Sequence, residues 1–148
     1  MANHDFTTTL LVNRTPKQVY DAVNHPENWW PGEIDGSSGK LNDEFTYRYK
    51  ELHLSRQRVV EMIPDQKVVW LVTGSTINYA EDKAEWTGTR IGFEISELDG
   101  KTQLRFSHQG LNPAIECFDS CSNSWSRIIQ QSLASLITTG KGEDLFLG

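Results

Sequence analysis

His108 is the side chain best placed for acid–base chemistry. It closes the run Leu104-Arg105-Phe106-Ser107-His108, and alternate spacing puts it on one face with Leu104 and Phe106. An inward imidazole could act as acid or base, or orient a ligand. The commoner fate of a buried polar group is a bond to a neighbouring carbonyl or carboxylate, and the balance favours that role. Cys117 and Cys121 follow shortly after. With His108 they would offer three metal ligands, but no Cys-x-x-Cys pair or fourth donor accompanies them, so no metal site is expected. Cys117 lies near an expected helix start, where a thiol pKa can fall. The spacing of the two cysteines does not by itself meet disulfide geometry, and both read as reduced thiols of a cytoplasmic protein. The carboxylates Glu81, Asp82, Glu116 and Asp119 show no pairing across a substrate. There is no glycine-rich phosphate loop, no Gly-x-Ser-x-Gly and no His-Glu-x-x-His. No cofactor is implied.

Bulk properties narrow the class. The chain has 148 residues, 37% hydrophobic and 23% charged, enough for one domain with a sizeable core. A single domain over 1–142 with a tail at 143–148 is expected. The net charge is −6 and no basic patch stands out, which argues against a nucleic-acid partner. No run approaches the roughly 20 apolar residues of a membrane span. The N-terminus lacks a basic region followed by an apolar stretch, so no secretion signal is expected.

The elements that would hold these residues can be placed in order. Phe6 to Val12 reads as a strand. Thr15-Pro16 begins a short helix that buries Val19, Tyr20 and Val23 and ends before Pro26. Pro26 to Trp30 reads as a second short turn of helix. Trp29 and Trp30 are adjacent, so on a regular helix or strand one faces inward and the other covers an opening or a partner surface, unless both plug the end of the core. Glu33 to Lys40 reads as turns. Glu44 to Lys50 alternates, with Phe45, Tyr47 and Tyr49 on one face. Leu54 to Ile63 and Lys67 to Thr73 are strands, and the continuous run Val68 to Val72 suggests cover on both faces, or a homodimer contact. Gly74 to Glu85 reads as a long loop. Trp86 to Glu97 and Thr102 to His108 are joined by Asp99-Gly100, a hairpin signal. Glu143 to Gly148 is a tail.

The longest apolar stripe, Pro113 to Thr139, is an amphipathic helix of about six or seven turns. Asn112 suits its cap, Pro113 its first turn and Gly140 its left-handed stop. Phe118, Trp125, Ile129 and Leu136 share a narrow sector, flanked by Cys121, Ile128 and Leu133. Ser122 and Ser132 also fall inside the stripe. Small hydroxyls there either leave room for a ligand or bond back to the helix's own carbonyls. The whole is α+β: a curved antiparallel sheet of about seven strands wrapped around a long C-terminal helix, with short helices after the first strand.

Several strings in this order resemble a known family. They are Thr15 to Val23, Trp29 to Ile34, Glu44 to Tyr49, Val68-Val69-Trp70, Glu81 to Thr89 and Ser135 to Gly142. Over about residues 5 to 142 the chain resembles the SRPBCC or START-like superfamily with the helix-grip fold. Within it, the chain is most similar to bacterial proteins named for the activator of the heat-shock-protein-90 ATPase. The superfamily includes lipid carriers, hormone receptors, aromatic cyclases and co-chaperones, which share an apolar cavity between sheet and helix. The eukaryotic co-chaperone carries a further domain that this sequence lacks, so a chaperone partner is not carried over. A small apolar or aromatic ligand is therefore expected between helix and sheet. Trp29, Trp30, Phe45, Tyr47, Tyr49, Phe93, Phe106, His108, Phe118, Trp125, Ile129 and Ser132 would line its site. The alternatives are a cavity enzyme of cyclase, isomerase or hydrolase type using His108, and a protein-interaction module built on Trp29, Trp30 and the 74–85 loop.

Overall fold

Seven antiparallel strands closed by one long helix form the fold, which the computed structural model describes over residues 5–50, 53–77, 86–111 and 118–142. The strands are β1 (Phe6–Val12), β2 (Glu33–Gly36), β3 (Glu44–Tyr49), β4 (His53–Ile63), β5 (Lys67–Ile77), β6 (Arg90–Leu98) and β7 (Lys101–Gln109). Their order is β1-β7-β6-β5-β4-β3-β2, so the N-terminal strand lies beside the last one at one edge. Register shifts between β4 and β5 at Arg56/Gln57 and Val59/Glu61 bend and twist the middle of the sheet. The expected alternation holds: Phe45, Tyr47 and Tyr49 on β3, Ile91, Phe93 and Ile95 on β6, and Leu104, Phe106 and His108 on β7 all face the core.

Helix α1 (Pro16–Val23) begins as expected. The Gln18 amide donates to Thr15 Oγ1 (3.1 Å) and the Thr15 amide donates to Gln18 Oε1 (2.9 Å), a reciprocal cap with Pro16 in the first turn. A 3₁₀ turn, Pro26–Asn28, follows. The long helix runs as α2 (Phe118–Arg127), a π-helical stretch (Ile128–Leu133) and α3 (Ala134–Thr139), ending at Gly140 in the left-handed conformation. Its expected start, with Asn112 and Pro113, lies outside the described residues, as do Glu81, Asp82, Glu116, Cys117 and the tail.

The helix register differs from expectation at its end. The wider π turn inserts an extra residue, so Ile137 is buried in the core while Leu136 packs against it half-buried. Other boundaries move too. Glu33–Gly36, expected as turn, pairs with β3 as a short edge strand. Its acidic Glu33 and Asp35 are the kind of side chain that discourages further pairing on an open edge. β5 runs on to Ile77 instead of ending at Thr73, because it follows β4 along its full length. The expected strand from Trp86 starts only at Arg90, since residues 86–88 form a turn. Over Lys67–Leu71, β5 is paired on both sides, with β4 and with β6. Val68, Trp70 and Val72 face the core, and Val69 is covered on the outer face. At the opposite edge, Gln130 Nε2 donates to Thr8 Oγ1 (2.7 Å) and to the Thr9 carbonyl (3.0 Å), so the long helix shields β1.

Candidate ligand site

Both Trp29 and Trp30 enter the interior, so of the two alternatives it is the plugged core, and not one indole covering an opening, that is found. The chain is leaving the 3₁₀ turn at this point, and without a regular repeat neighbouring side chains need not diverge. The two indoles stack on each other with centroids 6.2 Å apart, and each lies 6.2 Å from Trp70. Trp30 also stacks on Tyr47 at 3.8 Å and meets Trp125 at 5.0 Å. Polar contacts fix this stack. Trp29 Nε1 donates to the Ala22 carbonyl (3.0 Å), and the Tyr47 hydroxyl donates to the Pro31 carbonyl. Ser132 Oγ, from the π stretch, donates to the Trp29 carbonyl (2.6 Å). Ser132 thus anchors the tryptophan segment.

His108 is fully buried and both ring nitrogens are engaged. Trp125 Nε1 donates to His108 Nδ1 (3.1 Å). An indole N–H can only donate, so the imidazole proton sits on Nε2, which donates to Thr89 Oγ1 (2.8 Å). Thr89 in turn donates to the Trp86 carbonyl (2.6 Å). Burial holds the His108 pKa down at about 3, with nearby His53 adding to the shift. The imidazole is neutral and every member of this chain has a partner, a buried relay that ties helix, β7 and the 86–88 turn together.

A second polar row was not foreseen from the sequence. On the inner side of β4, Gln57 Nε2 donates to Ser55 Oγ (2.6 Å), and Ser55 lies 3.0 Å from His53 Nε2. Ser55 and Gln57 are buried, and desolvation lowers the His53 pKa to about 4. The His53 ring meets Tyr47 at 5.4 Å and Trp86 at 4.3 Å, and Trp86 lies between it and His108. Four buried polar atoms of this interior have no partner among the described residues: Gln57 Oε1, Trp70 Nε1, Trp86 Nε1 and Ser122 Oγ. Unmatched buried polar atoms are uncommon in native proteins, so four in one aromatic interior call for a cause.

The structure brings Trp29, Trp30, Phe45, Tyr47, Phe93, Phe106, His108, Trp125, Ile129 and Ser132 into one buried assembly. Tyr49 sits at its margin and half-buried Phe118 packs against it. Trp70, Trp86, His53, Ser55 and Gln57 belong to it as well. The signal for Trp70 was present in its apolar run. The β4 row was hidden because His53, Ser55 and Gln57 alternate with residues such as Arg56 and Arg58, so hydropathy does not separate the faces. Among the described residues, no group of three His, Cys, Asp or Glu side chains could hold a metal.

A curved antiparallel sheet gripping one long helix around an aromatic interior defines the helix-grip class. Within it, the chain belongs to the family described as Activator of Hsp90 ATPase homolog 1-like protein, whose profile matches residues 13–138. The solution structure of the Aha1 dimer from Colwellia psychrerythraea is similar over 96% of this chain and 100% of that one, at 24% identity and a TM-score of 0.75. Protein MLL2253 from Mesorhizobium loti is similar over 90% and 96% of the two chains, at 12% identity and a TM-score of 0.72. DynU16, a protein of the dynemicin biosynthetic locus, is similar over 94% of this chain but 49% of its own, at 14% identity and a TM-score of 0.66. At these identities the likeness is one of fold. No curated protein matches the chain. No helix among the described residues is long and apolar enough to cross a membrane.

Proposed function

We propose that this protein binds a small, neutral aromatic molecule between the sheet and the long helix, in the cytoplasm. The observation that carries this is the set of unmatched polar atoms, Gln57 Oε1, Trp70 Nε1, Trp86 Nε1 and Ser122 Oγ, in an interior otherwise walled by indole and phenyl rings. Ligand sites are mostly apolar with a few oriented polar groups, and this interior has that make-up. Turnover by His108 is disfavoured. Both its nitrogens are spent on the fold, and a pKa near 3 makes it a weak base. The test is native mass spectrometry of protein purified from its own host, followed by denaturation and identification of what is released. A stoichiometric neutral aromatic species is expected. Protein that is empty, and stays empty when offered neutral aromatic compounds, would sink the proposal.

A second reading, self-association, draws on the Colwellia relative being described as a dimer. A sedimentation coefficient that rises with concentration would support it.

A further inference from the structure

Gln57 and Trp70 are diagonal neighbours on the inner face of the sheet. Gln57 stands opposite Val72, and Trp70 lies two residues further along β5, opposite Val59. Diagonal neighbours on one face are about 7–8 Å apart at the backbone, within reach of long and aromatic side chains. Both side chains are completely buried, and each keeps one polar atom without a partner among the described residues. One N–H of the Gln57 amide is already committed, since Nε2 donates to Ser55 Oγ at 2.6 Å and Ser55 is held in turn by His53. What remains free is an acceptor on Gln57 and a donor on Trp70. If the amide were turned over, Ser55 would hold the oxygen and the free atom would be a second donor. Either way one amide atom stays unmatched.

Resting on the ligand-binding function proposed above, we infer that Gln57 and Trp70 form the recognition point for an aromatic ligand bearing a neutral hydroxyl, a phenol by class. One hydroxyl can accept from the Trp70 indole N–H and donate to Gln57 Oε1. A hydroxyl satisfies both atoms at once, as a water molecule would, and its oxygen can also accept from the turned amide. The described surroundings disfavour an anionic head. Among the described residues, no Lys, Arg, Asp or Glu is buried, and both nearby histidines are neutral. A carboxylate would therefore be buried without a counter-charge, which is strongly unfavourable. The ring walls on this side are Trp30, Phe45 and Phe93, each of which contacts Trp70 at 5.0–6.2 Å. The inferred class thus separates phenols from hydrocarbons, which leave the pair unmatched, and from ionised fatty or aromatic acids, which the interior cannot neutralise.

The experiment compares three probes on the full chain: 2-naphthol, naphthalene and 2-naphthoate, by calorimetric titration near pH 7. The expected order is naphthol tightest, naphthalene at least about tenfold weaker, and naphthoate weaker still. In Gln57→Leu the naphthol advantage should vanish while naphthalene affinity holds. Should that variant fail to fold, the indole N–H resonances of the wild-type protein provide the second readout. Naphthol but not naphthalene should shift the signal assigned to Trp70 through Trp70→Phe. Equal affinity for naphthol and naphthalene, or a preference that survives Gln57→Leu, overturns the inference and leaves the broader function standing. A resident water bridging the pair would give the first of these results. Failure of all three probes to bind overturns both.

Discussion

At the residue scale, the two histidines set how the protein responds to acid. Burial holds His53 near 4 and His108 near 3, against about 6.5 for an exposed imidazole. Between those values the folded state binds fewer protons than the unfolded chain. Stability is therefore fully present above about pH 6.5 and falls as pH drops towards 4 and then 3. The slope is at most about 1.4 kcal/mol per pH unit for each histidine. Urea midpoints measured from pH 7 down to pH 4 should fall steeply, and His108→Gln should flatten the curve. An unchanged slope in that variant would mean that His108 is not kept neutral by the fold. The role of this side chain was half legible beforehand. Alternation in Leu104 to His108 showed that it points inward, but Thr89 and Trp125, which saturate it, come from distant parts of the chain that no local pattern links to it.

At the element scale, the segment after α3 matters as much as the helix itself. Gly142 packs so closely that an added Cβ would lie 2.2 Å from the Asn28 carbonyl oxygen and 3.2 Å from Trp29 Cα. Both are backbone atoms on the segment that carries the tryptophan pair, so neither yields cheaply. Gly142→Ala should lower the thermal midpoint by several degrees and weaken the near-ultraviolet circular dichroism of the stacked indoles. A variant matching wild type on both counts would show that this contact is not closed in solution. The elements themselves were largely readable, because strand alternation, the Thr15-Pro16 cap and the Gly140 stop are local signals. The departures have non-local causes. β2 exists because β3 offers it an edge, and β5 is long because β4 is. The π stretch leaves no trace in hydropathy, yet it buries Ile137 in the core and leaves Leu136 packed at its margin.

At the scale of the whole molecule, the topology ties the beginning of the chain to its end. β1 pairs with β7, so that Phe6 lies opposite His108, and no local hairpin can form this edge. Non-local antiparallel pairings slow folding, and refolding from urea is expected in the millisecond-to-second range. Stopped-flow fluorescence would measure it, and complete refolding within microseconds would contradict the expectation. The same arrangement explains why the interior was only partly foreseen. Its two polar rows and five tryptophans come from strands, turns and the helix in turn, and only the closed sheet sets them side by side.

That gathering of indoles has an optical consequence. All five tryptophans of the chain belong to one network of rings 5.0–6.2 Å apart, running from Trp29, Trp30 and Trp70 through Trp125 to Trp86. At such spacings excitation passes between rings faster than any one of them emits, so the protein fluoresces as a single chromophore. A quencher touching any one ring, whether a bound molecule, an oxidised side chain or a neighbouring protonated imidazole, would dim the whole emission. Intrinsic fluorescence would therefore announce every event in this interior with high sensitivity and locate none of them.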